Sequence, residues 1–134
     1  MKEPEWLIQE AVVAVQKKLI AIHGGADGLR DLGQLSATLN RLKQKFTHGD
    51  PDICALAAAY GYGLTQIHCF VDGNKRIGTV AVITFLDINE YEFTASEEDV
   101  VITFRALAEG KISEEELAAW IQENSSPKRQ APPP

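Results

Sequence analysis

The chain has 134 residues, enough for one domain of ordinary size whose core needs no disulfide or metal staple. Apolar residues make up 45% and charged residues 24%, the balance of a soluble globular protein. A formal net charge of −6 excludes the basic footprint of a nucleic-acid binder, so no direct nucleic-acid partner is expected.

The opening Met1-Lys2-Glu3-Pro4-Glu5 is charged and lacks the apolar stretch of a secretory leader, which predicts a cytoplasmic location. Cys54 and Cys69 show no metal spacing and are expected as reduced thiols. From about Pro4 to His23, Leu7, Ile8, Ala11, Val12, Val15, Leu19 and Ile22 form a helical stripe, which Gly24-Gly25 stops. A polar loop to Asp31 leads into a second helix, roughly Leu32 to Phe46, with Leu35, Leu39 and Leu42 on one side. Asp50-Pro51 is a capped start for a third helix, which runs to about Ile67. The uncharged run from Ile53 to Phe70 is broken by Gly61, Gly63, Gln66 and His68, so it reads as a buried core helix and no membrane partner is expected. A fourth helix, Asn74 to Asn89, is apolar nearly all round from Ile77 to Ile88 and should be buried. Tyr91 to Thr94 suits a short extended piece. Ser96 with Asp99, and Ser113 with Glu116, are N-terminal capping signatures for a fifth and a sixth helix. These elements predict an all-α domain over residues 1–124, with about six helices around a central buried one. Residues 125–134, rich in proline, are expected to form a disordered or extended tail.

Chemistry concentrates in the loop before the fourth helix, His68-Cys69-Phe70-Val71-Asp72-Gly73, and in the first turn, Asn74-Lys75-Arg76. A helix N-terminus carries unpaired N–H groups and a partial positive charge, so it attracts anions. Lys75 and Arg76 oppose that field unless an anion joins them. Phosphate fits, since arginine binds it through two donors and lysine as a point charge. Gly73 lets the backbone approach the anion closely. Asp72 beside a phosphate calls for an intervening cation, and Mg²⁺ is the usual one. A neutral His68 suits a general base for a hydroxyl.

With those residues in view, the string resembles the Fic motif: His, any residue, Phe, any residue, an acid or Asn, Gly or Ala, Asn, Gly or Lys, Arg. The wider sequence is similar to the death-on-curing (Doc) toxins, through Gly24-Gly25 with Gly28 and Asp31, Asp87-Ile88-Asn89-Glu90-Tyr91, and Gly110-Lys111-Ile112-Ser113. The likeness covers roughly residues 5 to 124 and implies a Fic-type bundle. It also implies that His68 deprotonates a target hydroxyl, that Asp72 holds Mg²⁺, and that Gly73, Asn74, Lys75 and Arg76 bind the phosphates of ATP or another nucleoside triphosphate. Phe70 would hold the loop to the core. AMP-transferring members have glycine where this chain has Lys75, and a second arginine where it has Thr79. Doc-like proteins share both departures, which implies γ-phosphate transfer, with elongation factor Tu as the usual target and a Phd-type antitoxin as partner. AMP transfer and a non-catalytic interaction module are the alternatives.

Each motif residue also has a plain reading. His68 suits a helix cap, Asp72-Gly73 a turn, Asn74 a cap, and Lys75 with Arg76 a solvated turn. Cys69 is expected to pack, His23 and His48 to cap or lie on the surface, and Tyr60, Tyr62, Trp6 and Trp120 to make core contacts. Arg30 and Asp31 fit either a surface ion pair or a flap that registers a target peptide.

Overall fold

The computed structural model describes residues 3–49, 52–66 and 70–128, and among them six helices and one two-stranded sheet. In chain order these are α1 (Gln9–His23), α2 (Leu32–Thr47), α3 (Ile53–Gln66), α4 (Asn74–Ile88), β1 (Tyr91–Phe93), α5 (Glu97–Ala108), α6 (Glu114–Glu123) and β2 (Ser125–Pro127). The all-α reading holds. No described helix is long and apolar enough to cross a membrane.

Local chemistry sets most helix starts. The Asp31 carboxylate accepts from the Gln34 N–H (3.0 Å), and the Ser96 hydroxyl accepts from the Asp99 N–H (3.1 Å). Ser113 and Glu116 form the reciprocal box, with both bonds at 3.0 Å. At Ser96 only the hydroxyl half forms, because the Asp99 side chain is a methylene shorter than the glutamate that closes the box.

The centre of the bundle is α3 rather than α4. Eleven of the fourteen α3 residues are buried, against seven of fifteen in α4, where Ile83 and Ile88 reach solvent. The cause is side-chain size. Ala57, Ala58, Ala59, Gly61 and Gly63 let neighbouring helices close on α3 from several sides. Gly78 of α4 rests against the Gly61 carbonyl and Thr65, where a Cβ would collide.

Two expectations are corrected at the chain's ends. The first helix starts at Gln9, not Pro4, and the segment before it is pinned by distant partners. The Glu5 N–H donates to Asn89 (2.8 Å), the Leu7 N–H donates to the Tyr60 hydroxyl (3.0 Å), and Trp6 packs on Phe46 and Phe85. Burial pushes the Tyr60 hydroxyl up to about 12, with the Leu7 N–H pulling the other way. At the other end, the start of the supposed tail is ordered. Ser125–Pro127 pair antiparallel with β1, and the Lys128 N–H donates to the Glu90 carbonyl (2.7 Å). The packed unit therefore runs past residue 124 to Lys128, because β1 would otherwise leave its backbone groups unpaired. Residues 129–134 lie outside the described residues.

Candidate functional site

The site is built on the loop between α3 and α4. Phe70, 1% exposed, anchors it in the core as expected. Asn74, one turn into α4, closes the loop: its Nδ2 donates to the Phe70 carbonyl (3.0 Å) and its Oδ1 accepts from the Phe70 N–H (3.1 Å). Its side chain, expected among the phosphate ligands, is thus committed to the loop. Placed beside Phe70's main chain, the amide satisfies two buried backbone groups that a bend so tight cannot pair otherwise.

Gly73 precedes α4 in the left-handed region (φ 74°, ψ 19°) and offers no side chain to cap the helix. The N–H groups of Asn74, Lys75 and Arg76 have no partner among the described residues, since the first main-chain bond of the helix comes from Ile77 to the Gly73 carbonyl. Lys75 is exposed and Arg76 half-buried, and neither side chain makes a hydrogen bond or ion pair among the described residues. Val71 to Arg76 line one open pocket of about 410 Å³. Thr79 turns its hydroxyl back to the Lys75 carbonyl (2.9 Å). Nearby, Glu109 is held below the usual carboxylate range by its bond to Lys111, with Arg105 and Lys75 adding to the effect.

The Asp72 carboxylate is exposed and fixed from two sides. Its Oδ1 accepts from the Gly73 N–H (2.8 Å) and its Oδ2 from the Ala26 N–H (3.3 Å). The loop between α1 and α2 thus packs on the motif. The Val71 N–H donates to the Gly28 carbonyl (3.0 Å), and Leu29 and Phe70 form an isolated antiparallel bridge. A Cβ at Gly25 would stand 2.7 Å from Asp72 Oδ2, so only glycine admits this approach. Asp31 spends its carboxylate on the α2 cap, and no Arg30–Asp31 ion pair forms.

Asp72 suits Mg²⁺. Each oxygen has accepted one N–H, and Asp72 lines the pocket. One carboxylate with phosphate oxygens and water is the pattern this ion takes. Asp72, Gly73, Lys75 and Arg76 therefore meet at one pocket, although the Gly73 N–H, expected among the phosphate donors, is taken by Asp72 Oδ1. His68 and Cys69 lie outside the described residues.

The sequence reading missed Gln16 and Ile20. The face of α1 turned to the core is Val12, Gln16 and Ile20, while Ile22, counted in the apolar stripe, is 72% exposed. Gln16 donates through Nε2 to the Asp72 carbonyl. A polar residue inside an apolar i, i+4 series is the signal that could have found it.

A family model described as the Fic/DOC family matches residues 6–86, more than half of the chain and all of α1 to the motif loop. No curated protein matches.

Proposed function

The chain belongs to the Fic/DOC family, and we propose that it is a death-on-curing-type protein kinase toxin, moving the γ-phosphate of ATP or another nucleoside triphosphate to a hydroxyl of a target protein. Membership itself points to nucleotide-dependent transfer onto a protein. The observation that carries the reading is the start of α4: N–H groups unpaired among the described residues, two cations that make no hydrogen bond or ion pair there, and a carboxylate around one open pocket. That arrangement attracts a polyphosphate through the helix field and two fixed positive charges.

In this reading His68 takes the proton of the target hydroxyl. The hydroxyl oxygen bonds to the γ-phosphorus, the bond to the β–γ bridging oxygen breaks, and the nucleoside diphosphate leaves. Arg76 and the N–H groups of Asn74, Lys75 and Arg76 hold the phosphates, and Asp72 would hold Mg²⁺, whose charge offsets that of the phosphate oxygens. The choice of γ-phosphate over AMP rests on Lys75 and Thr79, which stand where AMP-transferring relatives have glycine and arginine. Lysine fills space beside an α-phosphate, and Thr79 brings no charge to the terminal ones. By the same resemblance, elongation factor Tu is the proposed target, a Phd-type antitoxin the proposed partner, and the cytoplasm the proposed location.

The test is to incubate the chain with ATP and Mg²⁺ in a translation extract and weigh the modified proteins. A phosphate increment that disappears with His68→Ala is expected. An AMP increment overturns the choice of group, and no increment in either case leaves a binding module instead of an enzyme.

A further inference from the structure

We propose that Gln16 is the positioning residue of the phosphate pocket, locking the Asp72–Gly73 peptide so that its carbonyl faces away from the anion and its N–H holds the Asp72 carboxylate. The proposal rests on the phosphate-site reading above, and adds a residue that lies outside the motif, 56 positions before Asp72.

Gln16 sits in the middle of α1, 2% exposed. Its Nε2 donates to the Asp72 carbonyl, and since only the NH₂ end of an amide can meet a carbonyl oxygen, its orientation is fixed. A trans peptide is planar, with its C=O and N–H pointing opposite ways. Drawing the Asp72 carbonyl inward therefore turns the Gly73 N–H outward, where it meets Asp72 Oδ1 at 2.8 Å. One bond thus sets both the carboxylate and the rim of the pocket.

The fit around this bond is tight. A Cβ on Gly73 would stand 2.9 Å from Gln16 Nε2 and 3.4 Å from Ile20 Cδ1, and one on Gly25 would stand 3.2 Å from the same Ile20 atom. Gln16 and Ile20, one turn apart, are the platform on which both glycine-bearing loops rest. The amide is also costly to keep. Its Oε1 is buried without a partner among the described residues, which a leucine or methionine would avoid. Glycine at position 73 makes the lock necessary, because a peptide followed by glycine can rotate over with little steric resistance. Rotated, it would aim a carbonyl oxygen at the phosphate and pull the Gly73 N–H away from Asp72.

The test compares the full chain with Gln16→Met and Gln16→Glu. The first keeps the shape and removes the donor. The second keeps a donor only while its carboxyl is protonated. Calorimetric titration with ATP and Mg²⁺ should show affinity about tenfold weaker in Gln16→Met. For Gln16→Glu, affinity relative to wild type at the same pH should recover as pH is lowered from about 8 to about 6, the range in which a buried carboxyl takes up its proton. A residue that merely fills space would give no such recovery. In the nucleotide-free proteins, the hydrogen-bonded amides of Val71, Gly73 and Ile77 should exchange faster in Gln16→Met, with those of α6 unchanged. Affinity within twofold of wild type in Gln16→Met, a flat ratio in Gln16→Glu, or unchanged exchange overturns the proposal. A wild-type chain that binds no nucleotide sinks the phosphate-site reading instead, and the exchange experiment still decides whether Gln16 holds the loop.

Discussion

The starts of α4 and α6 solve one physical problem in opposite ways. Every helix begins with backbone N–H groups that lack partners and with a partial positive charge. At α6 the chain answers with its own groups: Ser113 and Glu116 close a reciprocal box, and Glu114, Glu115 and Glu116 set negative charge in the first turn. Ser96 with Glu97, Glu98 and Asp99 does nearly the same for α5. At α4 there is no capping side chain and no acid in the first turn, and Lys75 and Arg76 add charge of the wrong sign. Even α1, which also lacks a side-chain cap, has Glu10 in its first turn. A closed start serves the fold. An open one, reinforced with cations, leaves room for an anion, which is the phosphate in the proposed function.

The largest effect that tests this contrast is expected at Arg76. Arg76→Ala removes a half-buried guanidinium that no described residue uses, so stability should hold while transfer activity falls by about a hundredfold in kcat/KM. Thermal unfolding and steady-state kinetics on one preparation read both. Loss of stability without loss of nucleotide affinity would make Arg76 a structural residue and undo the contrast.

Asn74 should behave in the opposite way. Asn74→Ala leaves the N–H and C=O of Phe70 buried without partners, a cost of about 2–3 kcal/mol in urea unfolding. Nucleotide affinity should fall as well, because the loop loses its clasp. If affinity falls at unchanged stability, the side chain is a ligand after all, as the motif alone suggested.

Asp72→Asn comes next. The amide keeps an acceptor for the Gly73 or Ala26 N–H and gives up the charge that would hold a cation. The stabilising effect of Mg²⁺ on ATP binding, measured by titrating the ion, should shrink about tenfold. An undiminished effect would move the metal away from Asp72.

These contrasts show which parts of the molecule were legible in the sequence. The caps of α5 and α6 were, since Ser96 and Ser113 act within three residues of themselves, whereas Asp31, read as part of a flap or an ion pair, caps α2, and the expected Asp50-Pro51 start of α3 lies outside the described residues. The pocket was legible to the same extent: Asp72, Gly73, Lys75 and Arg76 are contiguous, and a contiguous motif at a helix start needs no tertiary knowledge. What stayed hidden acts across the chain. The extended stretch before α1 depends on Asn89, Tyr60 and Phe85. The ordering of Ser125 to Lys128 depends on β1 and Asp87. The centrality of α3 depends on how closely its small residues admit α4 and α6, which no single-helix pattern encodes. The same holds for Gln16, whose bond to Asp72 spans 56 positions.

The smallest effect is the sharpest control. Ser113→Ala deletes the hydroxyl that accepts from Glu116 and should lower stability by about 1 kcal/mol, as loss of a helix cap does. The start of α6 lies outside the residues that line the pocket at the start of α4, so Mg²⁺-ATP affinity should be unchanged. The two helix starts then form a double dissociation: Arg76→Ala moves affinity and not stability, and Ser113→Ala moves stability and not affinity. If Ser113→Ala also weakens nucleotide binding, the pocket is sensitive to global stability. Arg76→Ala would then have to be re-read at matched distance from its own unfolding temperature before its loss of affinity could be assigned to a missing phosphate contact.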